Sequence, residues 1–93
     1  MIKGKNATWH ERYRIALKEE LTLKDIMILR AIGKPRAMEL RTEVINYCLV
    51  NNLRLPTAQV PTDLVFLLTD KYLDYYYNMM VHETKLYTAS SQS

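Results

Sequence analysis

Ninety-three residues carrying a net charge of +3, with a sequence pI of about 9.1, describe one small domain with a thin core. At 48 % hydrophobic and 25 % charged residues the chain lies far from the disorder signature, and two glycines with three prolines leave little room for the many tight turns of an all-β fold. A single cysteine, Cys48, excludes an internal disulfide, and with only two histidines it makes no convincing structural zinc site. Its neighbours Tyr47, Leu49 and Val50 mark it as a buried small hydrophobe. No long apolar run predicts a signal peptide or membrane span, so a reducing cytoplasm is the expected compartment.

Residues 1–7 read as a basic, flexible arm and residues 8–87 as the domain. Thr8-Trp-His-Glu11 fits a capping box, and Trp9, Tyr13, Ala16 and Leu17 recur at helical spacing behind it, predicting a first helix over 9–20. Thr22-Leu-Lys-Asp25 predicts a second start, with Ile26, Leu29 and Ile32 as the apolar row and Gly33 as the left-handed residue that ends it. Pro35 suits the first turn of a third helix over 36–51. Its buried face is expected to be Ala37, Leu40, Val44, Tyr47 and Cys48, opposite Glu39, Thr42, Glu43 and Asn46. Asn52, Pro56 and Pro61 break the pattern; Leu55 and Val60 flank either a two-stranded wing or a loop. Leu64, Val65, Leu67 and Leu68 predict a short buried helix from Thr62. Thr69 and Asp70 are expected to cap a long last helix over 71–86, before a disordered polar tail, 88–93. The expected fold class is therefore mainly all-α, around a helix-turn-helix core.

The stretch from Leu21 to Val50 is the most informative. Two helical patterns meet at Ile32-Gly-Lys-Pro35, a turn of the length and chemistry of helix-turn-helix units. In such a unit the first helix braces the second, here through Ile26, Leu29, Ala37 and Leu40, and the second enters the DNA major groove by its N-terminal end. Positive charge collects at the turn, where Lys24, Arg30, Lys34, Arg36 and Arg41 outnumber Asp25 and Glu39. Residues 1–65 carry +4 and residues 66–93 carry −1, so any basic surface belongs to the first two-thirds. The plainer reading of the same residues is an ordinary helix pair within a bundle.

Leu21-Thr-Leu-Lys-Asp-Ile26, Ile32-Gly-Lys-Pro-Arg-Ala37 and Glu39-Leu-Arg41 together resemble the excisionase and MerR-like DNA-binding domains of Gram-positive phages and mobile elements. The resemblance covers roughly residues 21–68, with Val60-Pro-Thr-Asp63 following the wing position. It implies a winged helix-turn-helix bound to double-stranded DNA, bending it during excision or controlling transcription. By position it places Lys34, Arg36, Met38 and Arg41 near the groove, with Lys24 and Thr42 beside them and Arg54 on or near the wing.

Tyr72, Tyr75, Tyr76 and Tyr77, with Met79 and Met80, crowd the last helix. Tyr76 and Tyr77 are expected inward beside Leu73. Tyr72, Tyr75 and Met79 either bury against a second copy, as a homodimer, or cover the thin core. No phosphate-cradling glycine loop, serine elbow or zincin helix occurs, which predicts no enzyme, no cofactor and no small-molecule substrate. The rival expectation is a helical protein-interaction module, with the tyrosine-methionine helix and the Glu39–Glu43 stripe as its working surface and no nucleic acid.

Overall fold

Two threonines start the first two helices. A computed structural model describes the backbone of residues 7–92 and the side chains of residues 7–86; the expected basic arm (apart from Ala7) and Ser93 lie outside the described residues. The Thr8 hydroxyl accepts from the Glu11 amide and opens α1 (Trp9–Ala16). The Glu11 carboxylate meets the Thr8 hydroxyl. Thr22 opens α2 (Leu23–Arg30) with the full reciprocal box, its hydroxyl accepting from Asp25 N at 3.1 Å and Asp25 Oδ2 accepting from Thr22 N at 3.1 Å.

The first helix is shorter than its periodicity predicts. It stops at Ala16, and Glu20–Leu21 forms a two-residue strand, β1, pairing antiparallel with β2 (Val60–Pro61). Thr62 reinforces the junction. Its amide donates to the Glu19 carbonyl at 2.9 Å and its hydroxyl donates to the Lys18 carbonyl. Those carbonyls are thereby held by a distant residue in place of a continuing helix. The pairing buries Leu21 opposite Val60, both essentially inaccessible. Of the two readings of the Leu55–Val60 stretch the loop holds: the small sheet joins Leu21 to Val60, and residues 53–59 form a loop without a strand.

Between the two strands run α2 and α3 (Lys34–Val50), followed after the loop by α4 (Thr62–Thr69) and α5 (Leu73–Gln92). The inward row of α3 is Ala37, Leu40, Val44 and Cys48, as its spacing predicts, with Tyr47 half-buried at its edge. It packs with Ile26 and Leu29 of α2, Val65 and Phe66 of α4 and Tyr76 of α5 in one core. α5 crosses α1: Tyr75 meets Trp9 edge-on at 5.8 Å between ring centroids, and Tyr77 meets Tyr13 at 5.6 Å. Of the two tyrosines expected inward, Tyr76 is fully buried, whereas Tyr77 is 48 % exposed because Tyr13 covers only one edge of it. α5 begins two residues later than expected, since Asp70 ends α4, and it continues through Gln92 over the stretch read as a tail.

Among the described residues three turns reverse the chain through left-handed residues that are not glycine: Ala31 (φ 55°), Asn52 (φ 60°) and Asp70 (φ 56°). At each one the following amide reaches back five residues, Ile32 to Met27, Leu53 to Cys48 and Lys71 to Phe66, which is the Schellman closure of a helix end. Gly33, expected to supply this conformation, has an extended φ of −78° and serves instead as the N-cap of α3. Alanine is the least suited of the three to the left-handed region. Ala31→Gly is therefore expected to raise stability by about 0.5–1 kcal/mol, read as a shift of the urea midpoint without a change in slope.

Candidate nucleic-acid interface

The start of α3 differs from the starts of α1 and α2. Those two are capped by threonine hydroxyls and carry an acid in the first turn, whereas α3 has no side-chain cap and no acidic residue in its first turn. Pro35 removes one of its orphan amides, and Gly33, Lys34, Pro35 and Arg36 are all exposed. An open helix N-terminus with cations beside it favours an anion, because the unpaired amides and the helix dipole both present positive potential.

Successive residues of a helix turn by about 100°. That rotation divides the expected contact residues of α3 between two flanks. Lys34, Met38 and Arg41 lie on one, with Thr42 next to them; Arg36 lies on the other with Glu39 and Glu43. The first flank adjoins the loop, since Arg41 Nη2 donates to the Thr57 carbonyl at 2.7 Å. A carbonyl does not neutralise the guanidinium, so Arg41 keeps its charge while tethering the loop that carries exposed Arg54. Met38 is 52 % exposed, and the Thr42 hydroxyl donates to the Met38 carbonyl at 3.0 Å. Lys24, in the first turn of α2, is exposed.

On the second flank Arg36 is engaged by acids, with Nη1 3.2 Å from Glu39 Oε1 and 3.0 Å from Glu43 Oε2. The two carboxylates push its already high pKa further up. All three side chains are about half exposed or more, so solvent screening leaves each pair contributing little. The arrangement also bears on the acidic stripe: Glu39 and Glu43 share one arginine, which offsets one of their two charges.

A second polar cluster clamps α5 to α1. Glu83 accepts from the Trp9 and His10 amides at 3.1 and 3.3 Å, while His10 Nδ1 lies 2.7 Å from Glu83 Oε1 and His10 Nε2 lies 3.0 Å from Thr84 Oγ1. No local sequence pattern brings these residues, 73 and 74 positions apart, together. Burial pushes the Glu83 carboxyl up, but the hydrogen bonds from the His10 ring and the two amides outweigh it and hold the group below the ordinary carboxylate range. A carboxylate depressed in the folded state contributes stability that is complete above its unfolded-state pKa and is lost as pH falls through the folded value. Wild type is therefore expected to melt a few degrees above Glu83→Gln at neutral pH, with the gap closing on acidification below the carboxylate range. A gap independent of pH would show that the clamp does not depend on the charge.

Of the residues expected at an interface, only Tyr72 is clearly exposed, at 44 %, lying edge-on to Phe66. Tyr75 is half-buried among Trp9, Tyr76 and the Lys71 ammonium, and Met79 is half-buried. Cys48 is buried, as expected. Among the described residues no group of three or more histidine, cysteine or acidic side chains could hold a metal ion, and no helix is long and apolar enough to cross a membrane. Compared with family models, curated proteins and solved structures, the chain matches none.

Proposed function

We propose that the protein binds double-stranded DNA, with α2 and α3 acting as a helix-turn-helix unit and the N-terminal half of α3 in the major groove. The excisionase-like role, bending DNA or regulating transcription in the cytoplasm of a phage or mobile-element host, goes with this reading. One observation carries it: the α3 start, braced by α2 through buried Ile26, Leu29, Ala37 and Leu40, is uncapped, free of acid, exposed and flanked by Lys34. Lys34 and Arg41, with Lys24 and Arg54 as outlying cations, supply phosphate contacts on this reading. Met38 and Thr42 are left to meet base edges. Arg36 holds Glu39 and Glu43, which lessens their repulsion of the DNA backbone, and its exposed pairs can be exchanged for a phosphate at small cost.

The test is fluorescence anisotropy on mixed-sequence duplex DNA at several salt concentrations. Affinity should fall steeply with salt through counterion release. Neutralising Lys34 and Arg36 together should weaken binding about tenfold and flatten the salt slope by up to about two contacts, whereas Lys85→Ala on α5 should leave both unchanged. Equal effects of the two changes would overturn the orientation, and a flat titration at micromolar protein would overturn DNA binding.

A further inference from the structure

A groove opens where the end of α1 and the approach to β1 meet α4 and the start of α5, and none of its lining comes from α2 or α3. Its volume is about 710 Å³. The floor is apolar: Phe66 lies at the bottom, and Leu17, Tyr72 and Leu73 stand over it 55 %, 44 % and 39 % exposed. Leu17, Tyr72 and Leu73 thus leave apolar surface open to water around one depression. The rim is acidic, with Glu19, Asp63 and Asp74 all exposed. Among the described residues Lys18 is the one cation in the lining, and its ammonium is turned to Asp25, 3.2 and 3.3 Å from the two carboxylate oxygens. The described lining therefore leaves the rim charge uncompensated.

The groove is also preformed. The Lys18 and Glu19 carbonyls on one wall are fixed by Thr62 at the start of the facing helix, and Tyr72 is held by its ring contact with Phe66. A site already shaped in the free protein gives up less ordering entropy on binding.

The geometry points to a docking groove for a short basic segment of a partner protein, two or three of whose aliphatic or aromatic side chains meet the apolar floor while its lysines or arginines meet Glu19, Asp63 and Asp74. Charge complementarity selects this occupant. The same rim repels a nucleic-acid backbone and an acidic helix, so the groove is distinct in kind from the α3 face and does not depend on the DNA reading.

The full chain can be titrated against a fluorescein-labelled twelve-residue peptide of alternating lysine and leucine, at about physiological salt, where exposed charges are screened beyond about 8 Å. The expected result is saturable binding to wild type, with amide shift changes in ¹⁵N-edited NMR spectra clustered at residues 17–19, 62–66 and 72–74. Glu19→Gln/Asp63→Asn/Asp74→Asn should weaken it about tenfold. Leu17→Ser/Leu73→Ser, which changes exposed positions and leaves the core intact, should weaken it by a similar factor. Lys34→Ala/Arg36→Ala should leave it unchanged, and a glutamate-leucine peptide should not bind. The proposal is overturned if the lysine-leucine peptide fails to bind wild type, or if it binds all variants alike. It is also overturned if an unlabelled peptide of residues 1–6, which carry Lys3 and Lys5, competes as well as the lysine-leucine peptide, or if wild type alone forms a dimer that Leu17→Ser/Leu73→Ser dissociates.

Discussion

Replacing Tyr76 with alanine is expected to remove about 3–5 kcal/mol of folding stability, a loss of the same order as the whole stability of a domain this size. Tyr76 is fully buried, stacks on Phe66 with 5.7 Å between centroids and meets Tyr75 edge-on at 5.2 Å. Its hydroxyl accepts from Arg30 Nη1 at 3.0 Å, tying α5 to the last turn of α2. Burial pushes this hydroxyl's pKa up, and the Arg30 guanidinium only partly offsets it, so the group stays neutral at working pH. Tyr76→Phe keeps the ring and removes the acceptor. It should cost about 1–2 kcal/mol, because a half-buried guanidinium loses a partner. Urea denaturation of the two variants separates ring from hydroxyl. A phenylalanine variant as stable as wild type would show that water replaces the phenol at Arg30.

Gly33→Asp is expected to move stability and DNA affinity in opposite directions. Gly33 sits at φ −78°, ψ 172°, the extended geometry of an N-cap, and a Cβ built there meets only Pro35 Cδ at an ordinary 3.7 Å. A carboxylate at this position can accept from the first-turn amides and interact favourably with the helix dipole, a gain of about 0.3–1 kcal/mol. It would also fill the anion-favouring site with fixed negative charge. On the proposed reading DNA affinity should then fall about tenfold or more, roughly the loss of one close phosphate contact. Gly33→Asn supplies a comparable cap without charge, and should retain most of the stability while losing much less affinity. Thermal melts and anisotropy on the same three proteins check both signs. If the aspartate variant is stabilised and binds DNA as tightly as wild type, the backbone of DNA does not approach this corner.

The parts of the fold that were legible in the sequence are those encoded locally. Thr8 and Thr22 announce helix starts because capping chemistry is read within four residues, and the row Ala37, Leu40, Val44, Cys48 announces a buried face because its period is that of the helix. The strand pairing of Leu21 with Val60 was not legible. Two residues carry no periodicity, and what shortens α1 is a threonine forty-odd positions away. The turn after α2 misled for a related reason: glycine is the expected left-handed residue, yet Ala31 takes that conformation while Gly33 caps the next helix. The candidate site was half legible. Exposure of Lys34, Arg36 and Met38 follows from their positions relative to the buried row. The separation of Arg36 onto the flank with Glu39 and Glu43, and the bond from Arg41 to Thr57, depend on side-chain and loop placement that no residue pattern states.

Because Leu21 faces Val60, the thirty-eight residues from Thr22 to Gln59 leave and re-enter the rest of the protein at a single doorway, with entrance and exit about 5 Å apart. Such a segment is a natural cassette. Exchanging it would not re-route the chain, but would take Ile26, Leu29, Ala37, Leu40, Val44 and Cys48 out of the shared core. At under about forty residues it would need a recipient's core to hold it, so a host offering an apolar ledge for Ala37, Val44 and Cys48 is the one that should accept the graft.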